Sequence, residues 1–254
     1  DTITLHKGDL PDGLTFGDSV AVDTETMGLN PHRDQLCVVQ LSAGDGTAHL
    51  VQLDRGTYNA PNLRALMADQ NVLKIFHFAR FDVAMMQRYL GVVTTPVYCT
   101  KIASKLVRTY TDRHGLKDLS RELLGVDMSK QQQSSDWGAD QLSDAQMAYA
   151  ASDVLHLHAL KETLDGMLMR EGRMELAKAC FASCRCAPRS ISRAGRKRTF
   201  SRIDSARTSL HLLEKASFFP ASRGSGHLTP GKACAHTQGA RPMAGLPAGK
   251  GCPM

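Results

Sequence analysis

The chain has 254 residues, with 31 Lys+Arg against 25 Asp+Glu, a formal charge of +6, 42% hydrophobic residues, 7 cysteines and 10 prolines. That length and apolar content can build a sizeable core, which excludes a wholly disordered chain, and the apolar runs are only a few residues long, far short of the roughly 18 to 20 that a bilayer-spanning helix requires. An odd number of scattered cysteines is no secreted disulfide framework, so a reducing, cytoplasmic setting is expected; the chain begins at Asp1, and nothing in it reads as a signal peptide.

Ser19 to Thr24 is a short apolar run that reads as a strand. Gln35 to Ser42 (QLCVVQLS) and Ala48 to Leu53 follow as two more, joined through the turn residues Gly44, Asp45 and Gly46. Asn62 to Ala68 has helical spacing, Val72 to Phe76 is a fourth strand, and Asp82 to Leu90 is a helix stopped by Gly91. Beyond Pro96 the pattern is helical: Thr100 to Val107, Leu116 to Leu124 closed by Gly125, and Ser143 to Arg170. Ser143 and Gln146, three residues apart, form a capping box that opens the last of these. Strands early, with helices between and after them, predict an α/β fold: a mixed sheet of about five strands flanked by helices.

The charge is unevenly spread. Residues 1–180 hold 18 Lys+Arg and 23 Asp+Glu, a net of −5, whereas residues 181–254 hold 13 and 2, a net of +11. The second stretch also has 6 of the 10 prolines, 8 of the 21 glycines and little apolar periodicity. A folded domain over 1–180 and a basic, disordered tail over 181–254 are therefore expected. Within the tail, Arg193 to Arg198 reads either as a nucleic-acid arm or as part of a functionless extension, and the abrupt shift in composition also fits a changed reading frame. Cys180, Cys184, Cys186, Cys234, His236 and Cys252 match no standard zinc spacing.

Chemistry-bearing residues concentrate in the acidic part. Asp23 and Glu25 end the first strand, and a period of two puts both on one face while Thr24 points the other way. Asp82 follows the segment His77-Phe78-Ala79-Arg80-Phe81 that leaves the fourth strand, and Tyr149 and Asp153 are an i, i+4 pair on one helical face. Carboxylates gathered in this way suit hard divalent cations, which prefer oxygen ligands and share them with substrate phosphates.

These segments resemble a known family. VAVDTETMGLN looks like the first motif of the DEDD 3′→5′ exonucleases, HFARFD like the second, and YAASDV like the third, in the Tyr-x-x-x-Asp form of the DEDDy branch. The block HGLKDLSRELLGVDMSKQQQSSDW, followed by QLSDAQMAYAASDVLHLHAL, is similar to ribonuclease D more than to polymerase proofreading domains. The resemblance implies an RNase H-like fold and a two-metal-ion mechanism, with Asp23, Glu25, Asp82 and Asp153 as ligands of two Mg²⁺ or Mn²⁺ ions. Tyr149 would orient the attacking water. Met27, Gly28 and Leu29 match the segment that packs on the terminal nucleotide. His77 and Phe78 stand where many relatives have His-Asn, so Phe78 replaces an asparagine contact and packs or stacks instead. Gln133, Ser135, Asp136 and Trp137 match the block before the last helix, with Trp137 a substrate contact. The basic residues that often follow that tryptophan are here Gly138, Ala139 and Asp140, so the expected phosphate grip is either weaker on that side or supplied by Lys101, Lys105, Arg108 or Lys117.

The resulting expectation is a metal-dependent 3′→5′ exoribonuclease acting on a free 3′ end of single-stranded RNA or a tRNA precursor, in tRNA or other RNA 3′ processing. Two other functions stay open: a DNA 3′→5′ exonuclease of the proofreading or repair type, and an RNA-binding protein that keeps the fold without catalysis. Oligomeric state is not legible in the sequence.

Overall fold

Six strands make one mixed sheet in the computed structural model, which describes residues 2–129 and 131–184. They are β1 (Thr2–Lys7), β2 (Ser19–Thr26), β3 (Leu36–Ser42), β4 (Thr47–Gln52), β5 (Leu73–Phe76) and β6 (Val97–Cys99), in the spatial order β1-β4-β3-β2-β5-β6. β2, β3 and β4 form an antiparallel meander, while β1 joins one side and β5 and then β6 the other, all in parallel. Two of the six escape the sequence pattern. β1 is a mostly exposed edge strand with only Ile3 and Leu5 alternating as apolar residues, and β6 has only three residues. Backbone pairing along the whole of β4 secures β1 instead.

The helices are α1 (Pro61–Ala68), α2 (Arg80–Leu90), α3 (Thr100–Val107), α4 (Leu116–Leu119) running into a π-helical turn (Ser120–Leu124), α5 (Asp144–Leu155), α6 (Leu157–Arg170) and α7 (Met174–Ser183). α1 begins with Pro61, and its residue Ala60 offers no side-chain cap. Asp9, far away in sequence, supplies it: its two carboxylate oxygens accept the Asn62 and Leu63 N–H groups at 2.8 and 2.9 Å. Gly91 and Gly125 close their helices in left-handed conformation, as the sequence predicts. The long helix expected over Ser143 to Arg170 is interrupted at His156, and α6 starts afresh so that His158 Nε2 meets the Ser19 hydroxyl at 3.1 Å.

The core has two parts, one on each side of the sheet. On one side Val38 and Leu50 pack with Trp137, Leu142 and Ala150, beneath α5. On the other, Val20, Val22, Val39 and Leu41 belong to a larger cluster with residues of α1, α2, α3 and α6. α7 closes that cluster: Phe181, 6% exposed, packs on Tyr98 in a tilted arrangement with ring centroids 4.5 Å apart. The boundary that the sequence suggests near Phe181 therefore falls inside a packed helix. The tail expected after it, with Arg193 to Arg198, lies outside the described residues.

Candidate active site

β2 delivers two carboxylates because it alternates. Asp23 is paired in register with Gln40, and Glu25 with Val38, so both acids share the face that α5 covers. Register slips between Glu25 and Thr26, where β3 carries one extra residue, Cys37; such a bulge bends a strand and re-aims the side chains beside it. The start of α5 is fixed by the capping box the sequence predicts: Ser143 Oγ accepts the Gln146 N–H at 3.2 Å, and Gln146 Oε1 accepts the Ser143 N–H at 2.9 Å. From that start, Tyr149 and Asp153 lie one turn apart. One carboxylate oxygen each from Asp23, Glu25 and Asp153 lies within 4.8 Å of the others.

Asp82 comes from a different direction. It sits in the first turn of α2, 3% exposed, and its Oδ1 accepts a 2.6 Å hydrogen bond from the Thr24 hydroxyl. It lines the same cleft as the other three acids but stands outside their tight group.

No Lys or Arg among the described residues pairs with any of the four. Burial, joined by the charges of Asp153 and Asp82, pushes the Glu25 carboxyl up to about 9. Burial lifts Asp82 and Asp153 each to about 7, against the hydrogen bonds from Thr24 and Tyr149 respectively. Asp23 is raised well above the carboxylate range by burial and then by Asp82, Asp153 and Glu25. The Tyr149 phenol is raised too, by burial and then by Asp153 and Glu25, so it keeps its proton at neutral pH. Four oxygen-bearing acids that repel one another in one place, with no protein cation to neutralise them, are a donor set suited to Mg²⁺ or Mn²⁺.

The acids stand in a cleft of about 700 Å³ whose wall includes Met27, Gly28, Leu29, His77, Phe78 and Lys117. The Met27 to Leu29 segment is held by its own loop. Asp34 Oδ2 accepts the Asn30 N–H at 2.9 Å, Met27 N–H donates to the Gln35 carbonyl at 2.9 Å, and the Thr26 hydroxyl donates to the Gly28 carbonyl at 2.6 Å. Glycine is required at 28 because a Cβ there would lie 2.3 Å from Asp34 Oδ2. Met27, Leu29 and Phe78 are 48%, 85% and 51% exposed, an apolar rim over an acidic floor. Phe78 holds a positive φ of 67° between β5 and α2, and the Lys101 ammonium lies 4.4 Å from its ring centroid. His77 Nδ1 is 2.9 Å from the Thr100 hydroxyl; burial first, then Lys101, lowers its pKa to about 3, which leaves the ring neutral.

Trp137 lies elsewhere. It is 2% exposed, in the core beneath α5, with its ring centroid 6.1 Å from that of Tyr149. The cavity it borders, about 380 Å³ with Lys7, Cys37 and Arg55, is separate from the cleft. Of the alternative cations, Lys101 and Lys117 line the cleft, whereas Arg108 is fully buried and paired with Glu122. Gln40 escapes the motif reading. It is fully buried with its Nε2 3.5 Å from Glu25 Oε1, and its only sequence signal is a lone amide in an otherwise apolar strand.

A family model described as 3′-5′ exonuclease matches residues 11–169. Ribonuclease D of Acidiphilium cryptum (strain JF-5) is 38% identical over 166 residues, which is 65% of this chain but only 42% of that protein. Among solved structures, Brucella melitensis NrnC with bound Mg²⁺ is 48% identical, with a TM-score of 0.70, a match covering 87% of this chain and all of that one. NrnC bound to pGG is 50% identical, with a TM-score of 0.71, covering 87% and 99%. With an exonuclease model matched over more than half its length and relatives at these identities, the chain belongs to the ribonuclease D-like 3′–5′ exonuclease family.

Proposed function

We propose that the chain is a metal-dependent 3′→5′ exoribonuclease. The observation that carries this reading is the meeting of Asp23, Glu25, Asp82, Tyr149 and Asp153 at the floor of one cleft whose rim offers apolar surface and two lysines. Divalent ions held by the four acids, two of them in the reading favoured here, would activate water and neutralise charge on the entering and leaving oxygens of an in-line displacement. The chain's own groups do the rest. Tyr149, protonated at neutral pH, orients the attacking water from one helical turn beyond Asp153. Met27, Leu29 and Phe78 hold bases by stacking and apolar contact, and Lys101 and Lys117 receive phosphates.

Since residues 1–180 are net negative, affinity comes from this local constellation rather than from a broad basic surface. A cleft of this size takes the last nucleotides of a single strand. NrnC, matched over nearly its whole length, is seen with pGG, which supports short RNA carrying a free 3′ end as the substrate. Trimming of tRNA or other RNA 3′ tails is the second reading, favoured by the likeness to ribonuclease D, whose relatives this chain covers by less than half.

The test is one assay with three substrates in Mn²⁺: 5′-labelled pGG, a 3′-extended tRNA precursor, and matched DNA. Release of mononucleotide from pGG ahead of the precursor supports short RNA, and the reverse order supports tail trimming. Faster turnover of DNA, or binding without product, refutes the proposed activity.

A further inference from the structure

The four acids reach the cleft from opposite faces of the sheet. Asp23 and Glu25 project toward α5 and meet Asp153 there. By alternation Thr24 projects from the other face, against which α2 packs, and its hydroxyl finds Asp82 at 2.6 Å. Both partners are deep, at 7% and 3% exposure, and Asp82 shares the buried part of α2 with Val83, Met85 and Met86. A carboxylate in such surroundings has few places to turn. It has no Lys or Arg partner among the described residues, and the Thr24 hydroxyl is the side chain that hydrogen-bonds it, alongside backbone groups of Thr24 and of Asp82 itself.

We propose that Thr24 is a positioning residue: it engages one oxygen of Asp82 and so presents the other to a divalent ion shared with the acids of the opposite face. Thr24 touches neither ion nor substrate in this scheme. It acts through Asp82, as outer-shell hydrogen bonds orient ligands elsewhere and alter affinity by about 10- to 100-fold. The inference rests on the divalent-metal reading above.

Mn²⁺ binding to the full-length protein, followed by calorimetry, tests it alongside steady-state kinetics on RNA. Thr24→Val, which keeps the shape and removes the donor, is expected to weaken Mn²⁺ binding about tenfold or more and to lower kcat with KM for RNA nearly unchanged. Thr24→Ser, which keeps the hydroxyl, is expected to stay within about threefold of the parent. In the Asp82→Asn background, Thr24→Val should produce no further loss. Wild-type Mn²⁺ affinity in Thr24→Val, an equal defect in Thr24→Ser, or additive losses in the double variant would each overturn the proposal. Should Thr24→Val not fold, Thr24→Ala, which also removes the donor, takes its place in each comparison. A parent protein that takes up no Mn²⁺ refutes the metal reading itself, whereas an unaffected Thr24→Val refutes only the role of Thr24.

Discussion

Four acids at one place make the metal-free site unfavourable to its own fold. A carboxyl whose pKa is raised by folding holds a proton that the unfolded chain releases near pH 4. The metal-free protein is therefore expected to lose stability as pH rises from about 4 through about 7, where Asp82 and Asp153 titrate, and on toward about 9 for Glu25. Thermal melts in chelator across that range check the sign. Replacing Asp82 with Asn should raise the metal-free stability at pH 8 by about 1 to 2 kcal/mol while abolishing nucleotide release, the trade expected where function requires destabilised groups. An Asp82→Asn protein less stable than the parent at pH 8 would show that burial, with the charge of Asp153, does not penalise the Asp82 carboxylate. Tyr149→Phe addresses a different step: kcat in saturating Mn²⁺ should fall about 10²-fold because the phenol directs water, and Mn²⁺ affinity should drop as well because the same hydroxyl hydrogen-bonds Asp153. At this scale strand alternation pairs Asp23 with Glu25 and helical spacing pairs Tyr149 with Asp153, while Asp82 and the grouping of all five came from the family resemblance. Gln40 was not legible in the sequence, because its contact with Glu25 crosses strands, and the burial of Trp137 was not, because a tryptophan in a polar loop carries no sign of which way it turns.

Elements set how these residues meet. β2, β3, β4 and β5 were visible as apolar runs, whereas β1 owes its place to hydrogen bonding along β4 and offers only the short alternation of Ile3 and Leu5. The break at His156 was equally invisible, since both halves have helical periodicity and the two helices are separated by the backbone at His156, with φ −103° and ψ −3°. The Met27 to Leu29 loop is the element most exposed to a single change. Gly28→Ala would drive a Cβ against Asp34, whose carboxylate also holds Asn30, so the loop must shift. The expected result is a several-fold higher KM for RNA with Mn²⁺ binding intact, measured by steady-state kinetics and calorimetry. Unchanged KM would show that this loop does not contact the substrate.

For the whole molecule, a sheet with helices on both sides gathers ligands from two faces to one cleft, and the mildly basic total charge is no guide to it. The net +11 belongs to residues 181–254, while the cleft lies in the acidic part of the chain. Ions bound only by the folded state stabilise it by mass action, by about 2.7 kcal/mol at a hundredfold excess over Kd. Saturating Mn²⁺ should thus raise Tm by about 5 °C or more, an increase that Asp153→Asn removes. The central claim is tested most directly by incubating the full chain with a 5′-labelled single-stranded RNA in Mn²⁺, in chelator, and as Asp153→Asn. The account predicts stepwise shortening from the 3′ end in Mn²⁺ and none in the other two; shortening that survives chelator or the substitution, or no shortening at all, would contradict it.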